Sequence, residues 1–267
     1  MEENARLNSS IGNSIVDADD SEEIQREATL ERLKSETSAE KISELMKAVS
    51  DSDYDTLARL LDPNGLAMDV NSPDSDGLTA LHHAVQAADL DMVRFLLEHD
   101  ADPHAGSLCE KVQMPLFIAV QANDKPIAEA LVEYKADLDI TDSKGCSLLH
   151  HSINHETTDM TAFLLSKRPS LRNTIDRNGQ KALHYCASEA GNVGMLDQLR
   201  VLLADEDEAG VNVKDRAGRV PVHLVVRWTA TEPREEAVRL LRDKGARIDI
   251  DELPERWRDY DSLRDVS

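Results

Sequence analysis

The sequence predicts an all-α solenoid built from stacked helix–turn–helix repeats. Three observations predict it. One short phrase recurs five times at nearly constant spacing, and each copy is followed at a similar offset by a paired aliphatic step. Aromatic residues make up only 3% of the 267 residues while 40% are hydrophobic. Small stacked helices close on Leu, Ala and Val and need few rings, whereas large sheet-based cores usually contain more of them.

The copies of the phrase are Thr79-Ala80-Leu81-His82, Met114-Pro115-Leu116-Phe117, Ser147-Leu148-Leu149-His150, Lys181-Ala182-Leu183-His184 and Val220-Pro221-Val222-His223. Their third residues are separated by 35, 33, 34 and 39 positions, a period in the range of helical repeat arrays. The aliphatic steps Leu96-Leu97, Leu131-Val132 and Leu164-Leu165 begin 14 residues after the phrase ends. The steps Leu202-Leu203 and Leu240-Leu241 come later, so the last two repeats carry insertions of about four and three residues, which repeat architectures place in loops. Ahead of four of the phrases stands a turn former, in Asp74-x-x-Gly77, Asp142-x-x-Gly145, Asp176-x-x-Gly179 and Asp215-x-x-Gly218, suited to a hairpin at the helix start. Asp100-Ala101-Asp102, Lys135-Ala136-Asp137 and Gly245-Ala246-Arg247 sit where the second helix must stop.

On these residues the chain resembles the ankyrin-repeat family, across residues 39–250. The stretch from Gly77 to Asp102 carries the pattern most completely, and the segment from Ala48-Val49 through Leu60-Leu61 to Asn71 resembles a degenerate capping repeat. Departures are Phe117 for the usual His, Ser152 for an Ala, and Val222 and Val225 in the last inner helix. The resemblance implies that His82, His150, His184 and His223 are internal hydrogen-bonding residues tied to the start of their own helix.

Residues 1–38 are acidic and polar, with too few apolar side chains to bury a face, and are expected to be disordered or partly helical. Within them Ile24, Ala28, Leu30 and Leu33 give a weak helical pattern after Ser21. Residues 251–267 read as a C-terminal tail around Trp257, Tyr260 and Leu263.

The formal charge is 30 minus 52, or −22, so the chain as a whole repels phosphate backbones and anionic membranes, and neither nucleic acid nor membrane is expected as a partner. There is no run of about 18 apolar residues and no basic-then-apolar start, and the expected location is cytoplasmic or nuclear. Cys109, Cys146 and Cys186 are odd in number and lack CxxC spacing, so they read as thiols outside any disulfide framework or zinc finger.

No cofactor or metal is expected. The phrase histidines lie in successive layers, on the order of 10 Å apart, too far for shared coordination. His151 and His155, four apart, would share a helical face, but no further ligand type follows on the next turn. Cys186 takes the position of a small packing residue, and Asp205-Glu206-Asp207-Glu208 reads as a solvated acidic loop. No phosphate-binding loop, nucleophile elbow or dinucleotide turn occurs, and the chain is not expected to be an enzyme.

The expected function is binding of another protein through the face formed by hairpins and inner helices. The alternatives are a regulatory or inhibitory subunit of a catalytic partner, or an enzyme borne on the same scaffold. By resemblance to the family's contact positions, the partner-binding residues are Ser75, Leu78, Lys144, Arg177, Gln180, Arg216 and Arg219 on hairpins, with Gln86, Gln121, Asn154, Arg227 and Trp228 on inner helices. Lys144, Arg177, Arg216, Arg219 and Arg227 beside Trp228 make the later part of this face basic, which suits an acidic segment of the partner protein. In the competing reading Arg177 and Arg216 only neutralise Asp142, Asp176 and Asp215.

Overall fold

The computed structural model describes residues 38–62, 67–106, 114–188, 193–225 and 231–247. The described chain is helical, and its one β-type pairing is an isolated antiparallel bridge between Thr141 and Ser147. Helices come in pairs: α1 (38–50) with α2 (Tyr54–Leu61), α3 (Ala80–Gln86) with α4 (Leu90–Glu98), and α5 (Pro115–Gln121) with α6 (Lys125–Glu133). They continue as α7 (Leu148–Ser152) with α8 (Asp159–Lys167), α9 (Ala182–Ser188) with α10 (Val193–Leu203), and α12 (Pro221–Val225) with α13 (Thr231–Asp243). A 3-10 turn at Pro169–Asn173 and the short α11 (Glu208–Val211) lie between pairs. Among the described residues these helices make six pairs.

Each first helix packs on the first helix of the next repeat, α3 on α5, α5 on α7, α7 on α9 and α9 on α12, while α4, α6, α8, α10 and α13 form the second layer. The core lies between the layers. The phrase residues supply it, with Leu81, Leu116, Leu149 and Leu183 all buried, and the aliphatic steps close it from the other side through Leu96, Leu131, Leu164 and Leu202.

The first three pairs share one connection. Ser52, Ala88 and Asn123 adopt positive φ of 51°, 55° and 55°, and the following Asp N–H reaches back to the carbonyl of Ala48, Ala84 or Ala119 at 2.8–3.1 Å. That aspartate, Asp53, Asp89 or Asp124, then caps the second helix by accepting the N–H of Thr56, Met92 or Ile127. A left-handed residue followed by an Asx cap thus ends one helix and starts the next. Three of the second helices, α4, α6 and α13, are also followed by a left-handed residue. Asp100, Lys135 and Gly245 have positive φ, and Ala101, Ala136 and Ala246 donate to Leu96, Leu131 and Leu241.

The insertions of the last two repeats lie partly in helix. Helices α10 and α13 have 11 and 13 residues against 9 in α4, α6 and α8, and the extra turn is added at the start. In α10 this turn packs on residues 153–158 of the preceding repeat. A Cβ on Gly194 would lie 2.6 Å from the Glu156 carbonyl oxygen, so only glycine fits. The buried Gln198 amide donates to the carbonyls of His155 at 3.1 Å and Thr157 at 2.7 Å. The insertion therefore becomes a contact between repeats four and five, and its apolar and amide partners make helix a better outcome than a solvated loop.

In the acidic stretch 205–208, Asp205, Asp207 and Glu208 are exposed as expected of a solvated loop, and Glu206 departs from it. Glu206 is only 8% exposed and forms an ion pair with Lys181, 2% exposed, with Arg172 Nε 3.5 Å from its other oxygen. Arg172 also reaches Asp205, Asp207 caps α11 by accepting the Gly210 N–H, and Glu208 pairs with Arg247. Every member of the run has a structural partner. Gly210 lies directly against Glu206, with its would-be Cβ in steric conflict with the Glu206 carboxylate.

Candidate functional site

The face proposed to meet a partner is built from four hairpins and the helices that follow them. In each hairpin the aspartate at its start, Asp74, Asp142, Asp176 or Asp215, uses Oδ1 to accept two backbone N–H groups, two and four residues on, at 2.8–2.9 Å. The glycine three residues on has φ between +74° and +83°, a conformation that glycine takes without the steric cost a side chain brings.

The other oxygen, Oδ2, has a different partner in each repeat: His83 Nε2 at 2.7 Å, His151 Nε2 at 3.0 Å, the Tyr185 hydroxyl at 3.0 Å, and Arg219 Nε at 2.9 Å. The first three come from the helix after the hairpin, nine residues along, and lock tip to helix. Burial alone would raise the carboxyls of Asp74, Asp142 and Asp215, but these contacts and the backbone donors outweigh it and hold all three below the ordinary value. The +9 spacing of His83 and His151 from a hairpin aspartate is the sequence signal that reveals the clamp.

The phrase histidines behave as the resemblance implied. Thr79 with His82, and Ser147 with His150, form reciprocal capping boxes in which His replaces the usual Glu or Gln. The backbone N–H donates to Nδ1 at 3.1 Å in both, and Lys181 N–H does the same to His184 at 3.1 Å. With Nδ1 accepting, Nε2 carries the proton, and it donates to a carbonyl of the next repeat: Gln180 from His150 at 2.9 Å and Arg219 from His184 at 3.2 Å. Burial pushes the pKa of both rings down. In repeat three the box is replaced as a unit by Met114 and the buried Phe117.

His155 lies beyond the end of α7, whose C-cap is Ile153, so it does not share a helix face with His151 as expected. Its Nε2 donates to the Val120 carbonyl at 3.1 Å while His151 turns to Asp142. Cys186 is fully buried, with Sγ 3.4 Å from the Met195 carbonyl oxygen, as a small packing residue.

Of the expected contact residues, Ser75, Gln86, Gln121, Lys144, Asn154, Arg177 and Arg216 are exposed, and Leu78, Gln180 and Arg219 are half-buried. Arg219 is bound to Asp215 and Gln180 donates to the same carboxylate at 3.3 Å. Arg227 and Trp228 lie outside the described residues. The hairpin tips are joined through the backbone, Arg177 N–H to the Lys144 carbonyl and Arg216 N–H to the Asn178 carbonyl, each at 2.9 Å. The Arg177 stem lies over Gly145 and the Arg216 stem over Gly179, with Cγ 3.4–3.5 Å from where a Cβ would stand. Among the described residues neither guanidinium forms an ion pair, because Asp142, Asp176 and Asp215 are occupied by His151, Tyr185 and Arg219. Lys144, Arg177 and Arg216 therefore form a row of exposed cations across three successive tips.

A family profile described as "Ankyrin repeats (3 copies)" matches residues 25–107 and 116–215. The palmitoyltransferase AKR1 of Lachancea kluyveri is 25% identical over 209 residues, 77% of this chain and 27% of that protein. Human inversin is 28% identical over 224 residues, 82% of this chain and 19% of that protein. This chain thus spans well under a third of either relative. Among solved structures, the ankyrin repeat protein EF0377 superposes with a TM-score of 0.65 at 19% identity, covering 76% of this chain and 98% of that one. A domain from Acinetobacter baumannii gives 0.65 at 21%, covering the same shares. No described helix is long and apolar enough to cross a membrane.

Proposed function

Because the chain belongs to the ankyrin-repeat family, a protein–protein interaction module, we propose that its hairpin tips and first-layer helices dock an acidic segment of a partner protein. The observation that carries this is the row Lys144, Arg177 and Arg216, exposed and without carboxylate partners among the described residues. Arginine suits bidentate carboxylate contacts, and backbone bonds fix the spacing between tips. Gln86 and Gln121, at the ends of α3 and α5, extend the polar surface, and Asn154, expected on an inner helix, lies instead in the turn just past the end of α7. Arg227 and Trp228 are the sequence-based candidates for its far end.

We read the chain as a scaffold and not an enzyme. On this face burial, with Asp142 and Asp176 nearby, raises the Cys146 thiol, and burial raises the Tyr185 phenol, so neither is a ready nucleophile. The two described cysteines are free and buried, which accords with the proposed cytoplasmic or nuclear location.

The net charge of −22 opposes an acidic ligand at long range while the cation row attracts it at contact. Salt screens both, so the sign of the salt effect tells which dominates. Fluorescence anisotropy with Glu/Asp-rich, neutral and Lys-rich peptides is expected to show preference for the acidic set and weaker binding as salt rises. The double substitution Arg177→Ala and Arg216→Ala is expected to weaken binding by about 1–3 kcal/mol with an unchanged melting curve. Equal binding of all three peptide sets, or affinity indifferent to the double substitution, would place the site elsewhere.

A further inference from the structure

Repeat four alone among the described hairpins brings three different metal-ligand types together. Asp142, Cys146 and His151 offer one oxygen, one sulfur and one nitrogen, all within 4.8 Å of one another. The corresponding positions are Asp74, Leu78 and His83 in repeat two, Asp176, Gln180 and Tyr185 in repeat five, and Asp215, Arg219 and Leu224 in repeat six. The hairpin geometry is the same in all four, so the convergence follows from residue type and not from a distortion of the fold.

We propose that Asp142, Cys146 and His151 bind a divalent transition metal of the zinc class, with solvent in the fourth position. Thiolate, imidazole and carboxylate in one tetrahedral set suit zinc, which takes sulfur at about 2.3 Å and nitrogen or oxygen at about 2.0–2.2 Å. The ligand atoms need to close on the ion by only part of their present separations. Asp142 keeps Oδ1 on the backbone N–H groups of Lys144 and Cys146 at 2.8 Å and offers Oδ2. The ion replaces the existing contact between that oxygen and His151 Nε2.

The protons balance. Cys146 gives up its thiol proton to solvent. His151 moves its proton from Nε2 to Nδ1 and remains neutral, so one proton leaves per ion bound. His151 Nδ1 is 3.5 Å from the Gln121 side-chain amide, whose oxygen, once the amide is turned, accepts the relocated proton and orients the ring, as outer-shell groups do. With thiolate and carboxylate the site carries two negative charges and neutralises a divalent cation. The Asp142 and Asp176 carboxylates beside the sulfur add negative charge that attracts a cation. Lys144, exposed, is the nearby opposing charge. In the free protein the Tyr185 hydroxyl, 3.2 Å from Sγ, donates to Asp176 and accepts from the thiol, and metal binding gives up that second contact.

The test is titration of the full chain with cobalt(II) under thiol-reducing conditions, followed by competition with zinc. The wild-type chain is expected to develop a thiolate-to-cobalt charge-transfer band and visible bands of tetrahedral type, bleached by zinc. Affinity should rise about tenfold per pH unit while the thiol is protonated in the free protein. Cys146→Leu and His151→Leu copy residues that repeats two and six already carry, and circular dichroism checks that both fold; Cys146→Ser provides a second, smaller change. Each is expected to abolish the charge-transfer band or weaken binding by at least about 100-fold, whereas His83→Leu leaves both unchanged. A wild-type titration without a thiolate band, or a band that survives Cys146→Leu, overturns the proposal.

Discussion

Replacing Glu206 by alanine is expected to destabilise the protein by about 3–5 kcal/mol, because it strands Lys181 as an uncompensated buried charge. Lys181 is 2% exposed and stands where Thr79 and Ser147 stand in their repeats, so it has given up the capping hydroxyl and turned its ammonium inward to Glu206. Arg172, its side chain 11% exposed, adds a second cation beside the same carboxylate. Urea denaturation at neutral pH measures the effect. The double substitution Lys181→Thr with Glu206→Ala is expected to recover a large part of the loss, since removing both charges of a buried pair is far cheaper than removing one. A single Glu206→Ala within about 1 kcal/mol of the parent would show that the pair is dispensable.

The second large effect is expected at Leu149. Helix α7 has five residues and anchors repeat four with Leu148 and Leu149, both fully buried. Leu149→Ala opens a cavity that so short a helix cannot refill, at about 2–5 kcal/mol. Repeat arrays hold together through nearest-neighbour interfaces, and this repeat packs on both α5 and α9, so one cavity weakens two seams. Leu81→Ala and Leu183→Ala fall in the same range. A Leu149→Ala chain as resistant to urea as the parent would mean that the assigned repeat register is wrong.

The repeats were legible because their determinants are local. A histidine three residues after Thr79 or Ser147, a glycine three after an aspartate, and Leu-Leu one helix later all act within a single repeat. What escaped is held by long-range partners. Lys181 and Glu206 are 25 residues apart, and each alone reads as a surface charge. The extra turn of α10 is helix because Gly194 and Gln198 meet the 153–158 segment of another repeat, which no local propensity encodes. The exposed cation row was visible as charge, but its freedom from Asp142, Asp176 and Asp215 depends on His151, Tyr185 and Arg219 reaching those carboxylates first. The ligand trio is spaced four and five residues apart across a hairpin and the first turn of a helix, and resembles no zinc-finger spacing.

The joints made by His150 and His184 carry a consequence for behaviour in acid. Each ring holds its neighbour's carbonyl while its Nδ1 accepts a backbone N–H, and protonating Nδ1 breaks that acceptance. Burial holds both folded pKa values below the ordinary 6.5. As pH falls past 6.5, the unfolded chain therefore takes up protons that the folded chain refuses, and stability declines until the folded rings titrate in turn; above that window these groups contribute no pH dependence. The hairpin carboxylates Asp74, Asp142 and Asp215, held below 3.8, start to lose their contribution only at much lower pH. Thermal melts followed by circular dichroism from neutral to mildly acidic pH are expected to show the first decline well before the carboxylates are reached. Mild acid therefore strikes first inside repeats four and five, at the helix starts that His150 and His184 cap, while their Nε2 bonds to the next repeat persist and the hairpin carboxylates stay ionised, so each unit loosens at its helix start before the seams between units give way.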